Sequence, residues 1–139
     1  MDKIFIDSNF FVALHNPDDS LHKDAVNKSK VLLEAAPKAY VSNYIFLETV
    51  TVLSQKVGRQ EAILRGNQLL NPEDFNFVQI NNWLQEQTWR IFCEISKKNT
   101  SFVDCSTIAV MQAEGIDKLL TFDQEDFKPL LKKHHLSLF

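Results

Sequence analysis

The chain has 139 residues, of which 45% are apolar and 24% charged, and carries a formal charge of −3. That size suits one compact domain over residues 1–139 with a single core, and the charge argues against the broad basic footprint usual in nucleic-acid binders. No stretch approaches the roughly 20 apolar residues of a membrane span, and Met1-Asp2-Lys3 followed by three apolar residues lacks the core of a secretory signal, so a cytoplasmic protein without membrane contact is expected.

In chain order, Lys3 to Asp7 reads as a short buried strand, and Ser8 to His15 turns directly into a helix broken by Pro17-Asp18-Asp19. Leu21 to Ala35 carries apolar residues at 21, 25, 26, 32 and 33 with charges between them, the pattern of an amphipathic helix ending near Pro37. Ala39 to Ser42 reads as a second strand. Ser42 or Asn43 caps a helix to about Val57, Gly58 stops it, and Arg59 to Leu70 forms another. Phe75 to Ile80 alternates as a third strand. A long helix is predicted over Asn82 to Lys98, with Trp83, Trp89, Phe92 and Ile95 as buried candidates. Ser101 opens a helix to about Glu114, ended by Gly115, and Lys118 to Phe122 makes a fourth strand. Glu125 to Lys133 reads as a short helix in which Pro129 is tolerable only in the first turn, and Leu136 to Phe139 adds a fifth strand. Cys93 and Cys105 lack metal-ligand spacing and are expected as reduced core thiols. Short strands between helices imply an α/β sandwich with a largely parallel sheet, whose ligands bind at the carboxyl ends of the strands. Asp7 and Asp123 fall at two such ends.

Four carboxylates interrupt apolar surroundings: Asp7 after Ile4-Phe5-Ile6, Glu48 within Tyr44-Ile45-Phe46-Leu47-Glu48-Thr49-Val50, Asp104 after Phe102-Val103, and Asp123 after Leu119-Leu120-Thr121-Phe122. A buried ion costs several kcal/mol, while a domain is stable by only about 5 to 15 kcal/mol. Convergence on a divalent cation relieves the conflict, because hard cations take oxygen ligands. Three of the four also have a plainer reading as helix caps. Asp7 and Asp123 precede predicted helices, and Ser101-Phe102-Val103-Asp104 matches a capping box. Glu48 lies too deep in its helix to cap it, and Lys56 and Arg59 are too far along the chain to pair with it, which leaves a long-range salt bridge as its plainer reading. Were four of the 18 acids held at a metal, 14 would stand against 15 Lys and Arg, which weakens the electrostatic objection to a nucleic-acid substrate. His22 reads as part of a solvated helix, and Lys132-Lys133-His134-His135 as a solvated basic tail; neither has zinc-site spacing.

The ordered set Ile4-Phe5-Ile6-Asp7-Ser8-Asn9, Ser42-Asn43-Tyr44-Ile45-Phe46-Leu47-Glu48, Ser101-Phe102-Val103-Asp104-Cys105 and Leu120-Thr121-Phe122-Asp123 resembles the PIN-domain nucleases. Asp18-Asp19-Ser20-Leu21-His22-Lys23-Asp24-Ala25 is similar to the Asp, His and Ala pattern that follows their first helix. The resemblance implies a three-layer sandwich whose sheet of about five strands runs in the order 3-2-1-4-5. It also implies that Asp7, Glu48, Asp104 and Asp123 gather around one or two Mg²⁺ or Mn²⁺ ions and cleave RNA. The compact forms are similar to VapC-type toxins, which implies a cognate antitoxin and a homodimer. The chain departs from the pattern in Asp123-Gln124-Glu125-Asp126-Phe127, which has one residue more than the family tends to have; Asp126 is taken as the added metal ligand, with Glu125 as its alternative.

On this reading Asp7 and Asp104 ligate directly, Asp7 as the bridging group. Glu48 binds through water or orients the attacking water, and Asp123 completes a weaker second position. Ser8, Asn9, Ser106 and Thr121 are candidates to hold the carboxylates by hydrogen bonds. Two other functional classes stay open: a PIN-fold RNA-binding or RNA-processing component without an antitoxin, and a haloacid-dehalogenase-type phosphatase with Asp7 as nucleophile. The phosphatase needs a second Asp where this chain has Asn9.

Overall fold

The computed structural model describes residues 2–139. Among them five strands, β1 (Lys3–Ile6), β2 (Lys38–Ser42), β3 (Asn76–Val78), β4 (Lys118–Leu120) and β5 (Ser137–Leu138), form one sheet in the order β3-β2-β1-β4-β5. Every pairing is parallel, as expected, with Ile4 opposite both Ala39 and Lys118. Seven helices connect the strands: α1 (Ser8–His15), α2 (His22–Ala35), α3 (Asn43–Lys56), α4 (Arg59–Leu69), α5 (Asn82–Cys93), α6 (Phe102–Glu114) and α7 (Gln124–Lys133). None is long and apolar enough to cross a membrane.

Strands covered on both faces need continuous apolar sequence. Ile4, Phe5 and Ile6 are essentially inaccessible, as are Val41, Leu119 and Leu120. Helices α1 to α4 pack on one another, and α5 to α7 form a second set. Parallel crossovers are right-handed, so a chain that moves from β1 out to β3 and then returns to β4 covers opposite faces on the two journeys. The order therefore reverses between β1 and β4, and the crevice at their carboxyl ends is where this architecture takes ligands.

Three features of the helices depart from the sequence reading. Helix α5 ends at Cys93 rather than near Lys98, because the chain turns away to bury Thr100 and to offer Ser101 as the N-cap of α6. The stripe that α5 buries is Leu84, Thr88 and Ile91, spaced by four and three. Trp83 and Trp89 lie off that stripe and are 57% and 56% exposed, with Phe92 also exposed, so none of the three is the core residue expected. Cys93 is likewise exposed at the helix end, while Cys105 is buried, and both thiols are free. Pro129 lies in the second turn of α7, not the first. The carbonyl it leaves without an N–H donor is that of Glu125, an exposed residue that water can serve.

Helix α5 supplies a direct check on this packing. Leu119→Ala, at a fully buried site in β4, is expected to cost about 2 to 5 kcal/mol of unfolding free energy in urea titrations. Trp83→Ala is expected to stay within about 0.5 kcal/mol of wild type despite removing the larger side chain, because it lies off the buried stripe.

Candidate active site

Asp7 follows β1, and its backbone N–H extends the ladder by donating to the Leu120 carbonyl (3.0 Å). The extended backbone at Asp7 makes it the N-cap of α1, with its Oδ1 accepting from the Ser8 N–H (2.8 Å). Its Oδ2 accepts from the Thr121 hydroxyl (2.8 Å) and from Asn9 Nδ2 (3.3 Å). Thr121, just past β4, is the hub of this corner, since its Oγ1 also accepts from Asn9 Nδ2 (3.1 Å) and from the Asp123 N–H (3.0 Å). Asn9 Oδ1 completes the mesh by accepting from the Phe122 N–H (3.1 Å). Every hydrogen-bond partner of Asp7 is thus a neutral donor, and the residue is 4% exposed without a basic partner among the described residues.

Glu48 reaches the same corner from α3, which starts at the carboxyl end of β2. Its Oε1 accepts from the Ser8 hydroxyl (2.9 Å), so neighbouring residues of the chain hold carboxylates from two elements. Asp104 sits in the first turn of α6 within a complete capping box: its N–H donates to Ser101 Oγ (3.0 Å), and its Oδ2 accepts from the Ser101 N–H (3.0 Å). Asp123 occupies the N-cap position of α7 but makes no side-chain cap and is exposed. The plainer reading as a cap thus holds for Asp7 and Asp104 and fails for Asp123.

Two of the candidates are engaged elsewhere. Asp126 forms an ion pair with Lys97 (2.9 Å), from the loop between α5 and α6. Ser106 donates to the Val103 carbonyl (2.6 Å) within its own helix, not to a carboxylate. His22 is not free on a solvated face, since its Nδ1 lies 2.8 Å from the Ala13 carbonyl and anchors α2 to α1. Two rings that the sequence reading assigned no part join the helices that carry two of the acids: Tyr44 of α3, one turn before Glu48, and Phe102 of α6 have centroids 6.4 Å apart.

The electrostatics bring the acids together more closely than the hydrogen bonds do. Burial pushes the Asp7 carboxyl up to about 7 from an ordinary 3.8; its bonds from Thr121 and Ser8 oppose the rise, and the charges of Asp104 and Glu48 add to it. Glu48 is raised mainly by burial, against the Ser8 bond, with Asp104 and Asp123 adding to the rise. Asp104 is also raised mainly by burial, against its bonds from Ser101, with Asp123 and Asp126 adding to the rise. Each acid therefore feels the negative charge of others drawn from different elements.

The donor set is all carboxylate oxygen, with no thiol or imidazole, and it suits a hard cation such as Mg²⁺ or Mn²⁺ rather than zinc. Among the described residues no three of these side chains stand close enough to form a ready cation cage. Mg²⁺ does not require one, because it keeps several waters and is commonly held by one or two carboxylates together with substrate phosphates.

A family model described as PIN domain matches residues 4–130. The 23S rRNA-specific endonuclease VapC20 of Mycobacterium tuberculosis is 29% identical over 120 residues, which is 86% of this chain and 88% of that protein. The crystal structure of VapC20, described as a Sarcin-Ricin loop cleaving toxin, superposes with a TM-score of 0.77 over 88% of this chain and 92% of its own. VapBC2 from Rickettsia felis, solved bound to a DNA fragment from its promoter, matches with a TM-score of 0.66 over 99% of this chain and 97% of its own. At 14% identity that likeness shows the fold alone.

The raised Asp7 carboxyl predicts a pH dependence of stability in the metal-free protein. Between 3.8 and about 7 the folded state holds a proton that the unfolded chain releases. Unfolding free energy should therefore be greatest at the acid end of this window and fall as pH rises through it, by up to about 1.4 kcal/mol per pH unit. Glu48 and Asp104 act in the same sense. Urea titrations in EDTA from pH 5 to 8 are expected to show this decline in wild type and a markedly flatter profile in Asp7→Asn.

Proposed function

The chain belongs to the PIN-domain family, and from that premise we propose that it is a Mg²⁺- or Mn²⁺-dependent endoribonuclease, the toxin of a prokaryotic toxin–antitoxin pair. The observation that carries the reading is Asp7: a carboxylate buried at the end of the central strand, ringed by neutral donors and faced by the charges of Asp104 and Glu48, with no basic side chain to balance it. Supporting it is the likeness to VapC20, an rRNA endonuclease, over most of both chains.

Asp7 and Asp104 would hold the ion directly, with Glu48 beside them and Asp123 contributing to a weaker second position. When bound, the ion neutralises phosphate charge and activates water for attack on the phosphodiester. The residues of the chain supply position. Thr121 and Asn9 fix Asp7 in one rotamer, and Ser8 fixes Glu48 through one oxygen, leaving the other free to orient the attacking water. Water adds at phosphorus and gives up one proton to solvent as the bridging P–O bond breaks, and the departing oxygen takes a proton from solvent. Asp126 would join the ligands only on releasing Lys97. The phosphatase reading is disfavoured because Asn9, standing at the position of the required second acid, is spent as a donor to Asp7 and Thr121.

An antitoxin partner is proposed on the same footing. A groove of about 590 Å³ beside α1 and α2, lined by Phe10, Phe11, Leu14, Leu32 and Leu33, offers such a partner an apolar seat. Self-association as a homodimer is also proposed, and sedimentation velocity reads it. A small reading frame immediately upstream of the gene is the observation that separates a toxin from a PIN-fold RNA-processing component without an antitoxin.

The decisive assay is degradation of a panel of structured RNAs, large-subunit rRNA among them, by wild type and Asp7→Asn in Mn²⁺ and in EDTA. Ion-mediated stabilisation is worth several kcal/mol, with a factor of ten in rate for about each 1.4 kcal/mol. Wild type is therefore expected to cut only with metal, and Asp7→Asn to be slower by about a hundredfold or more with its helical circular dichroism intact. Millimolar Mn²⁺ is also expected to raise the melting temperature of wild type and not of Asp7→Asn.

A further inference from the structure

Helix α5 buries Leu84, Thr88 and Ile91 and needs no more apolar surface to dock, yet three of its aromatic rings, Trp83, Trp89 and Phe92, are exposed. Trp89 is 56% exposed, and its ring lies nearly parallel to that of Phe92, with centroids 5.7 Å apart and planes 19° apart. Phe92 touches Phe102 (5.8 Å), and Phe102 touches Tyr44 (6.4 Å). A continuous row of rings thus runs from an exposed indole to the first turns of α6 and α3, the helices that carry Asp104 and Glu48.

We propose that Trp89, braced by Phe92, is a stacking platform that holds an unpaired nucleobase of the RNA substrate beside the acid site; this rests on the ribonuclease reading above. Three observations favour a nucleobase as the occupant. The row is continuous with the candidate active site, so a base on Trp89 belongs to the strand being cut. The apolar island is small: beyond Phe92 and the exposed Cys93, the helix surface around Trp89 is Gln85, Glu86 and Arg90, all exposed and polar. A stable protein interface needs about 800 Å² from each partner with an apolar centre, whereas one ring face is matched by one base. The loop that joins Phe92 to Phe102 also carries Lys98, exposed and without a carboxylate partner among the described residues, where it can meet a backbone phosphate. Stacking accepts any base, so this platform would govern affinity for unpaired RNA and its register on the acids, not the identity of a single base.

The test makes Trp89 the sole indole by Trp83→Phe, in the Asp7→Asn background or in EDTA to prevent cleavage, and titrates the protein with a short unpaired oligoribonucleotide. Saturable quenching of Trp89 emission is expected. In cleavage assays Trp89→Leu, with an unchanged melting temperature, is expected to raise KM about tenfold with kcat nearly preserved, and Trp89→Tyr to restore most of the loss. Unquenched emission, or a Trp89→Leu protein with wild-type KM, overturns the platform and leaves the ribonuclease reading standing. A Trp89→Leu protein that sediments as a smaller species than wild type assigns the ring to self-association and overturns the platform as well. Saturable quenching together with failure of wild type to cut any member of the structured RNA panel in Mn²⁺ supports the platform and overturns the nuclease reading instead.

Discussion

The arrangement of this protein turns on one carboxylate that has left water without meeting a cation. Asp7 is set at the end of β1, the central strand of a sheet covered on both faces, where an ion has no solvent to lean on. Three neutral donors, from Ser8, Thr121 and Asn9, compensate part of that cost. They do not neutralise the charge, and the nearest charged groups that act on it, Asp104 and Glu48, are of the same sign. A site of this kind holds unrelieved electrostatic free energy that a divalent ion would release on binding.

The strand order is what assembles the rest. Because β1 lies between β2 and β4, the segments leaving the carboxyl ends of all three strands meet at one crevice. The first delivers Asp7, Ser8 and Asn9, the second launches α3 with Glu48 on its second turn, and the third brings Thr121 and Asp123. Helix α6 adds Asp104 from the opposite layer through the short distance between its N-terminus and α3. None of these acids is near another in sequence, so the cluster exists only once the parallel pairing is complete.

How much of this was legible from residues alone depended on whether the signal was local. Strand positions could be read because buried parallel strands leave apolar runs such as Ile4-Phe5-Ile6, and helix starts because Ser42 and Ser101 cap where their side chains accept from backbone N–H groups. The strand order was not in the periodicity at all and came from the family resemblance. The errors on α5 have a physical origin: Trp and Phe resemble core residues by type, and only their angular offset from the stripe of Leu84, Thr88 and Ile91 marks them as outward. Pairings of distant side chains, such as Lys97 with Asp126, leave no local trace. The burial of Asp7 could be inferred from its apolar surroundings, whereas Asp123, preceded by an equally apolar run, is exposed, and the particular oxygen that each hydrogen bond occupies left no trace.

Those occupied oxygens resolve the apparent choice between capping and ligation. Glu48 gives Oε1 to Ser8 and keeps Oε2; Asp104 gives Oδ2 to Ser101 and keeps Oδ1. Asp7 shares both oxygens with donors, yet two carboxylate oxygens offer about four acceptor positions and three are used. A cap fixes the rotamer of a carboxylate through one lone pair and leaves the remaining ones open to a further partner. The local reading of Asp7 and Asp104 as helix caps is therefore compatible with the proposed one: the helix start would hold the acid where an ion could reach it. Asp123, uncapped and exposed, lacks that restraint, in keeping with its assignment to the weaker position.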